Sequence, residues 1–431
     1  MRSATTTAKT ERGLSITKAT FPMVGSILGS GVLTLPTAVE YSGYLLSAPI
    51  LIFISSVCAF TLFQLVHCAK NLETKDPSYF KVCQNTFPAL GYIAEACIGA
   101  QGLGAVFVYF LILKTWISEF LGLKEQIKYL PYNIAFSAVL MIVPTFLAMQ
   151  KNLKKLAFIS ILSTISVVFL SLVVLLSGVL SVLLPSTGIQ KDVLKAYTKN
   201  PWDIFSALSF YIFGLGCQQN MVKIFSLLDK PTKANGTKVG IFSIAIASFA
   251  YFLVANGGYF AGGNNQGTSI LDILADKDRS FYKQIIANFG EASGNRYFYL
   301  IQLAKIAMTI VLFGAYPLQM HPTRDSIVTF LNLPFKDYVS RNKRKAEIAV
   351  ISCVTLLLLI GSLGDIKYGF VMNLIANTAS CYIMFSLPSI SYIFSNKTKV
   401  PFTVVSSFIL VGSILFSFIS TYNLIAGLSK N

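Results

Sequence analysis

Residues 25–36 read GSILGSGVLTLP, inside a first long apolar stretch that runs from about Ala19 to Val39. Gly25, Gly29, Gly31, Ser26, Ser30 and Pro36 all fall within this single pass. In a helix interior glycine costs about 1 kcal/mol and proline about 3 kcal/mol relative to alanine. The stretch therefore predicts a spanning helix that breaks near its middle.

The rest of the chain is built for lipid. Of its 431 residues 54% are hydrophobic and 12% charged, whereas a soluble domain carries about 25% charge. Apolar runs of about 20 residues, each long enough to cross roughly 30 Å of hydrocarbon, recur from end to end. The alternating ten-residue pattern of a membrane barrel is absent from the sequence. The predicted fold class is an all-α integral membrane protein with eleven spans, approximately 19–39, 44–67, 91–116, 131–149, 156–184, 203–227, 239–261, 297–319, 347–363, 368–394 and 401–426. Residues 1–18 read as a short basic cytosolic tail without a cleavable signal, and 19–426 as one transmembrane domain.

A formal charge of +17 invites a nucleic-acid reading. The distribution of the charge argues for topology instead. Lys and Arg gather in alternate loops: Arg2 to Lys18, Lys70 to Lys81, Lys151 to Lys155, Lys230 to Lys238, Arg324 to Lys345, and Lys397 with Lys399. Cytosolic loops carry this excess, which predicts a cytosolic N-terminus. Trp116 and Trp202 fall at outer ends of spans, where indole rings anchor. The sequons at Asn235 and Asn396 fall on the cytosolic side and should be unused.

Little here suggests catalysis. The seven cysteines are scattered and read as small core residues, and His67 with His321 gives no metal-ligand spacing. Among the carboxylates, Glu95 alone lies clearly within a predicted span, with Glu119 and Asp203 at boundaries. A membrane hydrolase would want buried carboxylates, a His-rich site or an activated serine. The chain is not expected to be an enzyme, and no cofactor is expected.

Transporters built from inverted repeats place one interrupted helix in each half. A break in span one predicts another in span six, which reads DIFSALSFYIFGLGCQQNMVKIFSLL. There Gly214-Leu215-Gly216 is followed by Gln218, Gln219 and Asn220. The repeats would cover about 19–184 and 203–394, with 401–426 an extra helix. Half-helix ends carry about half a charge, positive at N-termini and negative at C-termini. A zwitterion suits that pair: its carboxylate on N–H groups of Gly29, Ser30 and Gly31, its ammonium on carbonyls near Phe210 to Gly214. The other reading of the small residues is close helix packing. Side-chain selectivity is expected from Tyr109, Phe210, Phe213, Ser26 and Thr34, with Gly216 part of the break. Lys305, in the middle of span eight, is the costliest residue for a membrane interior. With Thr309 and Glu95 it forms the ion-coupling candidates, its alternative role being to hold carbonyls or snorkel.

The motifs also carry a resemblance. MVGSILGSGVLTLPTAV resembles the first-helix signature of the amino acid/auxin permease family, N-x-x-x-G-x-G-[IV]-L-x-L-P. CQQNMVKIFSLLDKPT is similar to its C-H-Q-N-x-x-P-I-Y-x-E-L-x-x-P-T. AKIAMTIVLFGAYPLQMHPTRDSI resembles its span-eight motif, with Lys305 at the basic position and Tyr316, Pro317, Gln319, His321, Pro322 and Arg324 in place. The resemblance implies the five-plus-five inverted repeat of the amino acid–polyamine–organocation superfamily plus one helix. It implies secondary transport of an amino acid, with sodium or protons as partners. Gly25 stands where sodium-coupled members keep an Asn, Gln218 replaces His, and Leu227 replaces Glu. A hard cation needs oxygen ligands, so proton coupling or facilitated exchange is favoured over sodium coupling. Sparse deep charge favours a neutral substrate. A sensor without flux and a carrier of another small amine remain alternatives, in a plasma or vacuolar/lysosomal membrane.

Overall fold

The computed structural model describes residues 13–72, 74, 77–150, 157–184, 194–263, 268–335, 339, 341–364, 366–395 and 400–428. Most of the N-terminal tail, the sequon at Asn396 and Asp365 of the turn before span ten lie outside the described residues. Among the described residues the elements are helical, apart from one isolated bridge between Leu14 and Leu228. The first span is α1 (Ile16–Ile27), a 3₁₀ turn (Ser30–Thr34) and α2 (Leu35–Ser42). Then come α3 (Tyr44–Lys70), α4 (Tyr79–Thr86), α5 (Pro88–Phe120), α6 (Leu130–Ala148), α7 (Ala157–Leu183), α8 (Pro201–Leu215) and α9 (Gln218–Ser226). They are followed by α10 (Lys233–Gly262), α11 (Ile270–Ala275), α12 (Ser280–Phe289), α13 (Glu291–Leu331), α14 (Lys343–Gly361), α15 (Tyr368–Ile393) and α16 (Val400–Leu428).

Among the described residues eight helices are long and apolar enough to cross a membrane, and the bent first pair makes a ninth. The first span bends by 51° at its break. Separately α8 and α9 are too short to cross, because the second break divides them at Gly216 and Cys217. The predicted span at 347–363 is α14, whose first turns carry Lys343, Arg344, Lys345 and Glu347 and shorten its apolar part. Along α15 two π-helical turns, Ala376–Ser380 and Tyr382–Ser386, widen the helix.

Small residues set the closest approaches. A Cβ on Gly178 of α7 would lie 2.5 Å from the Gly257 oxygen of α10, so the two backbones touch there. The N-terminal end of the first broken span and the C-terminal end of the second are tied together. Leu14 N–H donates to Leu227 O at 2.8 Å, and Asp229 N–H donates to Leu14 O at 2.9 Å. The start of α1 and the end of α9 thus share a short backbone bridge.

Pro36 sits in the first turn of α2, where its missing N–H costs nothing. Two expectations need correction. Trp116 is fully buried and gives its indole N–H to Asp272 at 2.7 Å, so it is not an interfacial anchor. Span eight continues well past 319, as α13, to Leu331, so His321 and Arg324 lie within the helix rather than at its end.

Candidate substrate site

The first break leaves donors exposed. Val32 N–H turns back to Gly29 O at 3.3 Å, whereas the N–H groups of Gly29, Ser30 and Gly31 have no backbone acceptor among the described residues. These N–H groups stand at the N-terminal end of the second half of the broken span, where anions are favoured. The hydroxyl of Tyr109 lies above them, 3.7 Å from where a Gly29 Cβ would be, facing Ser30 and Gln319.

The second break leaves acceptors. Gly216, the cap of α8, returns no backbone N–H into the helix, so the last-turn carbonyls lack their usual partners. The two breaks touch: a Cβ on Gly31 would lie 2.9 Å from Gly214 Cα and 3.3 Å from Phe213 Cδ1. From α10 the buried Tyr251 hydroxyl reaches Ile27 O at 2.7 Å and Gly214 O at 2.9 Å. One hydroxyl proton is thus shared between the C-terminal ends of α1 and α8. It meets the negative potential of both ends and fixes their spacing. Tyr251→Phe would leave both carbonyls buried and short of a donor, at about 1–3 kcal/mol. It is expected to lower uptake by reconstituted protein about tenfold while the variant still purifies as a folded species; unchanged uptake would contradict the role.

A small cavity of about 40 Å³ lies at the junction. It is lined by Ser26, Gly29, Ser30, Gly31, Tyr109, Phe213, Gly214 and Gly216, together with Gln101, Gln219 and Gln319. Ser26, Gly29, Ser30, Tyr109, Gln219 and Gln319 also line a wider cavity of about 570 Å³. That cavity lies on the side of Pro22 in α1, Leu227 after α9 and Asp325 in α13. Glu95 is in the wall of the wider cavity, and its backbone carbonyl accepts from Ser326.

Phe210 and Thr34 line neither cavity. Phe210 is buried against Tyr41 of α2, with ring centroids 6.1 Å apart, and Thr34 Oγ donates to Gly31 O at 3.2 Å. Lys305 is also elsewhere. Its ammonium, 1% exposed, lies 2.8 Å from Glu119 Oε1 and 2.9 Å from Asp272 Oδ1. Thr309 only returns its hydroxyl to Lys305 O at 2.8 Å. Burial pushes the Asp272 carboxyl above the ordinary carboxylate range, and the Lys305 ammonium pulls it back. Sequence reasoning passed over Gln101, Gln219, Tyr251 and Asp272 as site residues. A polar amide in mid-span was the available signal for Gln101. Tyr251 had none that separates it from other buried tyrosines.

Two interrupted helices, meeting at a small polar cavity inside a bundle of apolar spans, define a multi-pass membrane transporter. The chain belongs to the family described as transmembrane amino acid transporter protein, whose model matches residues 12–426. It is a transporter by family and not an enzyme. It is 25% identical over 389 residues to vacuolar amino acid transporter 5 of Schizosaccharomyces pombe, covering 88% of this chain and 84% of the relative. It is 22% identical over 340 residues to vacuolar amino acid transporter 6 of Saccharomyces cerevisiae, covering 77% and 70%. Its fold is similar to that of MhsT in complex with L-phenylalanine, with TM-score 0.58, 15% identity, and 94% and 98% of the two chains covered. The inward-facing conformation of Mhp1 also matches, with TM-score 0.58, 11% identity, and 97% and 92% covered.

Proposed function

We infer that this chain moves a neutral amino acid across a membrane by alternating access, binding it as a zwitterion between the two breaks. The observation that carries this reading is the pairing of opposite helix ends. The N–H groups of Gly29, Ser30 and Gly31 have no backbone acceptor among the described residues, Gly31 packs directly against Gly214 near the end of α8, and the Tyr109 hydroxyl lies beside Gly29. The α-carboxylate takes these N–H groups and the Tyr109 hydroxyl. The α-ammonium takes carbonyls in the last turns of α8 and α1, with Ser26 beside it. Unwound backbone at membrane depth persists only where protein or a cavity satisfies it, and here the substrate completes that satisfaction.

In this reading the architecture is eleven spans: two five-helix repeats related by inversion, with α1–α2 and α8–α9 as the discontinuous members and α16 as the extra helix. The basic loops favour a cytosolic N-terminus, and with that orientation the wide cavity belongs to a state facing the cytosol. The names of the yeast relatives favour a vacuolar or lysosomal membrane over the plasma membrane. Protons are favoured over sodium. Gly25 offers no side-chain oxygen, and a hard cation needs oxygen ligands. Lys305, Thr309 and Glu95 stay as coupling candidates, of which Glu95 alone lines a cavity that a proton or substrate can reach.

Purified protein in liposomes, given labelled amino acids with pH and sodium gradients imposed separately, tests this directly. Saturable uptake driven by the pH gradient and indifferent to sodium is expected. No saturable flux of any amino acid would contradict it and favour a sensor.

A further inference from the structure

The small cavity has a second polar group besides the helix ends. Along α5, Gln101, Ala105 and Tyr109 recur every four residues, so they share one face, and all three line the cavity. Tyr109 stands over the free N–H groups of the first break. Two turns away, roughly 12 Å along the axis, Gln101 packs over the second break, its Nε2 being 3.1 Å from where a Gly216 Cβ would be. Gln219 comes to the same cavity from the first turn of α9. The amide oxygens of Gln101 and Gln219 are both buried from solvent, and neither has a hydrogen-bond partner among the described residues. Two such acceptors at one cavity are unusual, because buried polar atoms are paired as a rule. A carboxamide turns readily about its last side-chain torsion, so each can present either its oxygen or its N–H₂ to an incoming group.

We propose that Gln101 and Gln219 read the side chain of the bound amino acid, and that the preferred substrates carry a neutral hydrogen-bonding side chain, a carboxamide or a hydroxyl. The proposal rests on the zwitterion reading of the same cavity and narrows its substrate class. An apolar side chain of the same size would fill the space and leave both oxygens sealed without a donor. Sites built this way reject analogues that lack the polar group. A cationic side chain is disfavoured differently. Glu95 and Asp325 line the wider cavity and not the small one. Phe213 and Ala105 give the rest of the wall, which suits a short methylene stem.

The test is competition against labelled L-glutamine uptake by the full chain in liposomes. Asparagine and leucine differ little in size, as do glutamine and methionine, so each pair isolates the polar group. Asparagine is expected to compete at least about tenfold better than leucine, and unlabelled glutamine similarly better than methionine. In Gln101→Met and Gln219→Met, which nearly conserve volume, the ratio should fall towards one while uptake of some amino acid persists. Leucine competing as well as asparagine in the unmodified protein would overturn the proposal and leave amino acid transport standing. So would an unchanged ratio in both variants. Absence of saturable uptake of any amino acid would overturn the transport reading itself, and this proposal with it.

Discussion

Gly31→Leu is expected to reduce amino acid uptake at least about 100-fold, equivalent to about 2.7 kcal/mol. Even one added carbon at this position meets backbone, 2.9 Å from Gly214 Cα, and the Phe213 ring at 3.3 Å. Backbone cannot rotate out of the way as a side chain can. A leucine would force the two breaks apart and occupy the space above the free N–H groups that receives the carboxylate. Gly31→Ala, with the smaller intrusion, should retain partial uptake. Both variants are expected to purify as monodisperse protein, because the strain falls on an interrupted segment and not on a continuous helix. Initial-rate uptake in liposomes, normalised to reconstituted protein, measures the effect.

The second large effect is expected at Lys305. This ammonium is 1% exposed and bridges Glu119 and Asp272 at 2.8 and 2.9 Å, and Trp116 adds a hydrogen bond to the same Asp272 oxygen at 2.7 Å. Lys305→Met leaves two carboxylates near each other without their cation. Removing one member of a buried ion pair costs about 3–5 kcal/mol, because the remaining charge stays desolvated. A clear drop in thermal unfolding temperature of the detergent-solubilised protein is expected at neutral pH. The pH dependence has a definite sign. Burial already raises the Asp272 carboxyl and Lys305 lowers it again, so without Lys305 its folded-state value rises further. A carboxyl whose folded-state pKa is raised holds its proton more tightly folded than unfolded, so it adds stability as pH falls. The deficit of Lys305→Met relative to the parent should therefore shrink as the pH falls from neutral into the acid range. Adding Glu119→Gln and Asp272→Asn to the variant should recover most of the loss at neutral pH.

These two positions also show what the sequence could and could not convey. The first break was legible because glycine and proline act locally, and no neighbour is needed to predict that GSILGSG interrupts a helix. The second followed from a symmetry expectation and was confirmed at Gly216. Helices begin and end within a few residues of the bounds predicted for spans one to ten, except where α5, α10 and α13 run on into polar residues beyond the apolar window. Phe210 shows the limit of periodicity: it shares a face of α8 with Phe213 but sits one turn higher, against Tyr41, where the cavity does not reach. The pattern gives a face and not a height. Lys305 was visible as an anomaly, yet its partner Asp272 lies in α11, a six-residue helix outside any apolar run. Tyr251 is the extreme case, since its two acceptors are 224 and 37 residues away in sequence. Such contacts are fixed by how the helices cross, and no local pattern encodes them.

The central claim is that the two breaks together hold a zwitterion, one end on each. Equilibrium competition among an L-amino acid that the protein carries, its methyl ester and its N-acetyl derivative tests this most directly. The ester removes the carboxylate that Gly29, Ser30, Gly31 and Tyr109 would hold, and acetylation removes the ammonium facing the ends of α1 and α8. Each loses charge-assisted hydrogen bonds worth about 1.5–3 kcal/mol, so both are expected to bind at least about tenfold more weakly than the parent amino acid. An ester or an acetylated derivative that binds as well as the free amino acid would contradict the account.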